Sequence, residues 1–434
     1  MTHPLSVAVA GLGTVGCGVL KLLRDNADLV SARAGRPIAV TAVSARDRTK
    51  DRGVSLTGLR WYDDPVALAA DPAVDVIVEL IGGADGPARA LAEAAIAAGK
   101  PLVTANKAML AVHGAALAAA AERRNVPLGF EAAVAGGIPV IKALREGLAG
   151  NRISRIAGIL NGTCNYILTQ MRERGREFAE VLADAQKLGY AEADPSFDID
   201  GIDAAHKLAI LAALAFGRPV AFDAVHVEGI RRISALDIAF ATELGYRIKL
   251  LGIARQSDGG PQGGISARVH PCMVPAAAPI ARVDGVFNAV VAEGDFVGRV
   301  MLEGRGAGAG PTASAVVADL IDLARNRLTP VWGAAFDALS NAPSVPMSMH
   351  LGPYYLRLMV VDRPGVIADV TAVLRDLGVS LESMLQRGRS PGEAVPVVLV
   401  THETRESAMV AALDRIAALD AVLEPPTLIR IEAG

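Results

Sequence analysis

The sequence predicts an α/β protein with a doubly wound N-terminal domain, a central α+β domain and a small C-terminal α+β module. Three observations carry this. A β-branched apolar run, LSVAVA (5–10), breaks into the glycine loop Gly11-Leu12-Gly13-Thr14-Val15-Gly16 and opens a helical pattern. Strand and helix patterns then alternate to about residue 130, as right-handed βαβ units around a parallel sheet require. After residue 350 the order becomes strand, turn, helix, strand, strand, helix, strand, a domain-sized unit of its own.

The elements follow in order. Helical periodicity runs from Thr14 to about Ala34, and IAVTAVS (38–44) is a second strand. DDPVALAADPAVDVIVEL gives a short helix and a strand ending near Leu80. ARALAEAAIAAGK is a helix ending at Gly99, PLVTAN a strand and HGAALAAAAERRN a helix, so residues 1–130 form the first domain. From 131 to 325 the pattern changes to a second, α+β domain with its own sheet. RISRIAGILNG, ISARVHPCMV and FNAVVAEG read as strands, while LAILAALAFG and IAFATELGYRIKLLG read as helical or mixed. GRGAGAGPTASAVVADLIDLARNR is a glycine-rich loop feeding a helix, with Pro311 in its first turn. This helix (311–327) is expected to return to the first domain. Residues 326–349, with several prolines and no periodicity, read as a linker, and 350–434 form the C-terminal module.

Composition narrows function. The 434 residues are 52% hydrophobic, which leaves little room for long disordered regions. A net charge of −3 without a long basic tract argues against nucleic acid or an anionic membrane as partner. The longest apolar run beside a helix, LAILAALAFG, is too short to span a bilayer. The N-terminus enters a strand without a signal-peptide pattern. Cys17, Cys164 and Cys272 lie far apart without metal-ligand spacing, so they read as reduced thiols of a cytoplasmic protein.

Five motifs carry chemistry. In the glycine loop, Gly11 permits a tight turn, Gly13 lets backbone approach a pyrophosphate at the helix N-terminus, and Gly16 packs helix on strand. This is the Rossmann signature for a dinucleotide; a different anion at the same helix end is the alternative. The second strand ends at Ser44-Ala45-Arg46, with Arg48 and Lys50 nearby and no acid before Asp47. A small residue plus arginine suits a 2′-phosphate, so NADP is preferred over NAD. Val103-Thr104-Ala105-Asn106-Lys107 stands at the C-terminal edge of a strand, where such sheets bind ligands, so Lys107 is a candidate contact to cofactor or substrate carboxylate. Glu131-Ala-Ala-Val134-Ala-Gly136-Gly-Ile138 joins one carboxylate to a loop of small residues. It reads either as an oxygen-lined cage for a hard cation or as a tight hinge between domains. Finally, residues 185–207 place Glu192, Asp194, Asp198, Asp200 and Asp203 ahead of Lys207. With a helix starting near Gly201, Asp203 and Lys207 share one face and pair. That pair is either a catalytic ammonium held beside a polar substrate or a structural salt bridge. Asp194 and Asp200 read as loop formers.

GLGTVG, VTANKAML, EAAVAGGIPVIK, GILNGTCNYIL and above all the spaced run Gly189…Glu192…Asp198…Gly201…Asp203…Lys207 together resemble the homoserine dehydrogenase family, in its monofunctional bacterial form. The resemblance covers essentially the whole chain. Cys164 departs from it, because relatives often carry threonine in NGTTNYIL. The resemblance implies reversible reduction of L-aspartate 4-semialdehyde to L-homoserine by NAD(P)H, on the route to threonine and methionine. It implies that Lys207 donates the proton, that Glu192 and Asp203 bind substrate, and that Asp198 supports the lysine and the substrate amine. It implies cofactor contacts at Gly13, Thr14, Val15, Lys107, Gly189 and Gly308, beside those read from Gly11, Gly16 and Arg46. It also implies a monovalent-cation site, normally sodium, at Glu131, Val134, Gly136 and Ile138. The chemistry fits the residues. Hydride reaching C4 of the aldehyde leaves negative charge on oxygen, which an ammonium stabilises and protonates. The substrate's α-ammonium calls for carboxylates.

YYLRLMVVDRPGVIADVTAVLRDLGVSLESM resembles an ACT domain, a ferredoxin-like fold. Its Asp362-Arg-Pro-Gly365 turn brings backbone to a helix N-terminus that can meet an amino acid's carboxylate. Because the resemblance makes threonine an end-product of the route, feedback inhibition by L-threonine through this module is expected, with a purely dimerising module as the alternative. The family implies a homodimer, or a homotetramer through the ACT modules. Another amino-acid-pathway dehydrogenase with an ACT tail should lack the acidic run ending on Lys207. An inactive sensor of the same fold would not need Glu192, Asp198, Asp203 and Lys207 intact.

Overall fold

Strands buried on both faces need helices on both sides, and the first domain meets that need. The computed structural model describes residues 3–257, 263–327, 329–387 and 390–433; the other positions, Leu328 of the expected linker among them, lie outside the described residues. Strands β1 (Leu5–Ala10), β2 (Ile38–Ser44), β3 (Arg60–Tyr62), β4 (Val76–Glu79), β5 (Leu102–Thr104) and β6 (Leu128–Gly129) form a parallel sheet in the order β3-β2-β1-β4-β5-β6. The order reverses between β1 and β4, so the glycine loop at the end of β1 lies at the crevice where such sheets take their ligand. The helical stretch read as continuous from Thr14 to Ala34 is two helices, Thr14–Asp25 and Ala27–Ala34, broken at Asn26. The helix Ala309–Ala324 packs on the first of these. A Cβ at Gly18 would lie 2.6 Å from the Ala309 carbonyl, and Val316, Val317 and Leu320 share a core with Val7, Val9, Val19 and Val103.

The rest of the chain builds one ten-stranded sheet. Its central strands are β7 (Ile153–Ile159), β8 (His226–Val227), β9 (Tyr246–Gln256), β10 (Ile265–Pro275), β11 (Phe287–Gly294) and β12 (Gly298–Arg305). The segment read as helical or mixed divides into a helix, Ala235–Glu243, and strand β9. Strand β12, to which the sequence reading gave no element and which ends inside the expected glycine-rich loop, pairs with β11 as a hairpin. The short pair β13 (Leu351–Gly352) and β17 (Thr404–Arg405) stands apart, while β14 (Tyr354–Val361), β15 (Leu381–Gln386), β16 (Ala394–Thr401) and β18 (Thr427–Ile431) form the C-terminal module's sheet.

That module is not detached. Strand β18 pairs in parallel with β10, Cys272 opposite Arg430 and Met273 opposite Ile431, so its sheet continues the central one. The seam is charged and buried. Arg357 donates from Nε to Asp237 at 2.6 Å, and the Tyr355 hydroxyl donates to the same carboxylate at 3.2 Å. The segment expected as a linker is also packed down. Trp332 is fully buried, its ring 5.3 Å from that of Phe130, and the Glu122 carboxylate accepts from the backbone N–H groups of Val331 and Phe336. Low periodicity here reflects an irregular strap whose backbone bonds go to side chains and neighbouring strands, not freedom from the domains.

Candidate active site

A cleft of about 600 Å³ opens between the glycine loop, the β5 edge and the acidic run. Its walls include Val15, Lys107, Gly136, Asn161, Gly189, Asp198, Asp203, Lys207 and Gly308. Each glycine of the loop has its own reason. Gly11 has φ +98°, and a Cβ there would lie 2.4 Å from the Leu80 carbonyl oxygen. At Gly16 a Cβ would lie 2.0 Å from the Gly11 carbonyl, so helix and strand pack at backbone distance. Gly13, by contrast, has nothing within 4 Å of a Cβ: its face is open for a ligand.

The opposite rim is fixed by a polar scaffold at the sheet edge. Glu79 is fully buried; its carboxylate accepts from the N–H groups of Ile81 (2.7 Å) and Gly82 (3.1 Å) and from the Thr104 hydroxyl (2.6 Å). Asn106 caps the helix Lys107–Arg123 by accepting from Met109 N at 3.0 Å, and its amide donates to the Gly83 carbonyl at 2.7 Å. The first helical residue is therefore Lys107, held at the cleft. Its Nζ lies 3.2 Å from Asp203 Oδ1 and 5.7 Å from the Phe197 ring centre.

Gly201, with φ +87°, opens the helix Ile202–Phe216, so Asp203 and Lys207 fall one turn apart. Lys207 Nζ donates to Asp203 Oδ2 at 2.7 Å and to the Leu160 carbonyl at 2.7 Å. Asn161 donates both amide protons to carboxylates, to Asp198 at 2.8 Å and to Asp203 at 2.9 Å, while its oxygen caps the helix Gly162–Arg174. The two acids are pushed apart in acidity. Burial opposes ionisation of Asp203, but the charges of Lys207 and Lys107 and the hydrogen bonds from Lys207 and Asn161 outweigh it and hold the carboxyl down at about 2. Asp198 is raised above the ordinary value, by burial first and then by the negative charge of Asp203.

The expected site residues separate into groups. Val15, Gly136, Gly189, Asp198, Asp203, Lys107, Lys207 and Gly308 line the cleft together. Arg46 is exposed at the end of β2. Glu192 is exposed and does not line the cleft, because Gln186 Nε2 donates to the Glu192 and Ala193 carbonyls and the chain turns this side chain outward. Asp194 accepts from Ser196 N, and Asp200 pairs with Arg231, so the acids do not all converge on Lys207. Glu131 is buried, and its two carboxylate oxygens accept from Ile141 N and Lys142 N, each at 2.9 Å. Burial, then the charge of Asp319, raises this carboxyl to about 7. Cys164 is buried with its Sγ 3.2 Å from the Asp198 carbonyl, and burial pushes the thiol far up, which leaves it inert. Sequence reasoning missed Glu79, Asn106 and Asn161. Asn106 and Asn161 lie inside quoted motifs, where the N-cap preference for asparagine was the available signal; Glu79, at the end of β4, lies in none.

Compared with known proteins, the chain is 47% identical to the homoserine dehydrogenase of Pseudomonas aeruginosa, over 99% of both sequences. The chain belongs to the homoserine dehydrogenase family. It is 48% identical to the homoserine dehydrogenase of Neisseria gonorrhoeae, again over 99% of both. Residues 139–321 match the homoserine dehydrogenase family model, residues 11–131 that of the homoserine dehydrogenase NAD binding domain, and residues 354–418 that of the ACT domain. The crystal structure of a homoserine dehydrogenase from Thiobacillus denitrificans superposes with a TM-score of 0.93 at 48% identity, covering 99% of each chain. A hyperthermophilic archaeal homoserine dehydrogenase solved in complex with NADPH superposes over 76% of this chain, with a TM-score of 0.63 and 26% identity. As a homoserine dehydrogenase the protein is an NAD(P)-dependent oxidoreductase acting on a CH–OH group. No helix among the described residues is long and apolar enough to cross a membrane.

Proposed function

We propose that the chain interconverts L-homoserine and L-aspartate 4-semialdehyde, with NADP as preferred cofactor and L-threonine as feedback inhibitor. The carrying observation is the Lys107–Asp203–Lys207 chain of charges facing the open side of the glycine loop. An ammonium has three N–H groups, and Lys207 gives two to Asp203 and Leu160. The third serves the substrate's C4 oxygen, stabilising negative charge there and exchanging its proton with it. Asp203, ionised, fixes the ammonium and holds the hydroxyl end of the substrate. Asp198 suits the α-ammonium and Lys107 the α-carboxylate. Glu192, turned outward, has no assigned contact in this conformation. A bound nicotinamide supplies or accepts the hydride.

The cradle fits a dinucleotide: Gly13 leaves open space, and Val15, Gly189 and Gly308 line the same cleft. The loop after β2 favours a 2′-phosphate. Asp47 is turned to its own loop, its Oδ1 accepting from the Thr49 N–H and hydroxyl at 2.8 and 2.7 Å. Arg46 and Arg48 remain exposed there, and Arg52 lies over the Trp61 ring and donates to the Leu12 carbonyl at 3.3 Å. NADPH in the archaeal relative points the same way. For the cation, Val134 and Gly136 are buried and their carbonyls accept no hydrogen bond among the described residues, which fits a hard ion such as Na⁺. Glu131 and Ile138 belong to the same loop, although the Ile138 carbonyl already accepts from Val140 N. Open edges at β12 and β15 suit a homo-oligomer, dimer or tetramer, and three unpaired thiols suit the cytoplasm.

Initial rates of homoserine oxidation with NADP and with NAD, each with and without threonine and sodium, test this reading. It predicts faster turnover with NADP, activation by sodium and inhibition by threonine. Absence of homoserine-dependent reduction of either cofactor would overturn it.

A further inference from the structure

The turn between Asp198 and Asp203 does not rest on the catalytic helix alone. Its outer side is held by the segment that runs through β8 to Arg231. Ile230 N donates to the Ile199 carbonyl at 2.8 Å. Arg231 pairs with Asp200 through two nitrogens, Nη2 to Oδ2 at 3.0 Å, and Nη2 also donates to Ser196 Oγ at 2.9 Å. Gly229 approaches so closely that a Cβ would lie 2.1 Å from the Ile199 oxygen. Gly201, the residue that opens the Asp203–Lys207 helix, sits on Val227 and Glu228: a Cβ there would lie 3.2 Å from Val227 Cγ1 and 3.3 Å from the Glu228 carbonyl oxygen.

The other side of the same segment is gripped by the C-terminal module. The Glu228 carboxylate accepts from Arg430 Nη1 at 2.9 Å and Nη2 at 2.8 Å. Arg430 lies on β18, is 3% exposed and is also held by Glu406. Glu228 N donates to the Val269 carbonyl at 2.7 Å, and His226 bonds Glu228 Oε1 at 2.7 Å, so Glu228 has little room to move alone. A displacement of Arg430 must carry Glu228 with it or break a charge-assisted bidentate pair whose arginine is buried and whose carboxylate is partly exposed. A displacement of Glu228 in turn presses Gly229 on Ile199 and Gly201 on its neighbours, because packed backbone has no slack to absorb it.

We propose that Val227–Arg231 is a positioning strap, through which the seat of the C-terminal module on the central domain sets the place of Asp198 and Asp203 and hence the affinity of the cleft for its hydroxy-amino-acid substrate. Glu228 and Arg231 are positioning residues, acting through Ile199, Asp200 and Gly201. The inference rests on the reading of Asp198 and Asp203 as substrate contacts.

The test uses the full-length enzyme carrying Arg231→Ala, Arg231→Lys, Glu228→Gln or the pair Arg231→Ala/Glu228→Gln, with homoserine and NADP varied separately. The strap predicts a homoserine KM raised ~5-fold or more in Arg231→Ala and in Glu228→Gln, with the NADP KM within twofold of wild type. Arg231→Lys should recover part of the loss, and the double variant should be no worse than the weaker-binding single one, since both act through one segment. A homoserine KM unchanged in both single variants overturns the proposal. So does a parallel rise in both KM values, which marks general loosening, or strict additivity in the double variant. Asp198→Asn is measured alongside. If the strap variants shift nothing while Asp198→Asn raises the homoserine KM, the strap alone is wrong; if Asp198→Asn also leaves it unchanged, the reading of the cleft fails and the strap with it.

Discussion

Two clusters of buried charge lie on opposite sides of one segment of chain, and they are built differently. At the seam, Arg430 makes four bonds to Glu228 and Glu406, and Asp237 accepts from Arg357, Tyr355 and Ser234. Strong donors and acceptors there are matched inside the protein. In the cleft, Lys207 spends two of its three protons, Asp198 has only neutral hydrogen-bond partners in Asn161 and Thr163, and the whole group borders a cavity of about 600 Å³. Its two acids are driven in opposite directions, Asp203 down to about 2 and Asp198 upward. Buried charge alone therefore does not mark a site. Nor does open space, since Glu228, Glu406 and Arg430 themselves line a cavity of about 860 Å³. Incomplete satisfaction, with neighbouring acidities pushed apart, does.

That contrast can be broken most directly at the seam. Arg430→Met strands the buried Glu406 without its counter-charge, while the partly exposed Glu228 keeps His226, and should cost about 3–5 kcal/mol, read as a lower urea midpoint. Lys207→Met should cost clearly less, because Asp203 keeps Lys107 and Asn161. Equal losses would erase the distinction. Within the cleft, the sign of the acid response discriminates next. Asp198 takes up its proton above the ordinary carboxylate value of 3.8 as pH falls, whereas Asp203 stays ionised to about 2. The acid limb of kcat/KM for homoserine should therefore belong to Asp198, lie above 3.8 and vanish in Asp198→Asn. Persistence of an unchanged limb would assign it elsewhere. The smallest effect is at the cofactor's far end, where Arg46→Ala should weaken NADP about tenfold, roughly 1.4 kcal/mol, and leave NAD unaffected. Equal losses for the two cofactors would remove the 2′-phosphate argument.

The two regions also differ in how much of them was legible in the sequence. The glycine loop, the helix start at Gly201 and the Asp203–Lys207 spacing are local patterns, and local sterics decide them. The strand–helix alternation likewise exposed the parallel sheet, though the short strands β3 and β6 carry too few residues for a period to register. The outward turn of Glu192 depends on a side chain six positions upstream, Gln186, holding the main chain. No window of charge spacing contains that. The seam was invisible for a stronger reason. Strand β18 meets β10 across a large separation in sequence, and Glu228 meets Arg430 only because of that pairing. Long-range pairing leaves no periodic trace, so the C-terminal module read as a separate unit. Asn161 was in view within NGTCN, but its bridging of two carboxylates follows from tertiary placement.

If Lys207 moves the proton while the remaining cleft only binds and orients, one substitution separates the two roles. Lys207→Met should be assayed for homoserine oxidation with NADP, and the same preparation titrated with NADPH by fluorescence. Turnover should fall by roughly 10²–10⁴-fold with NADPH binding intact. Turnover within a few fold of wild type, with homoserine saturating, would contradict it.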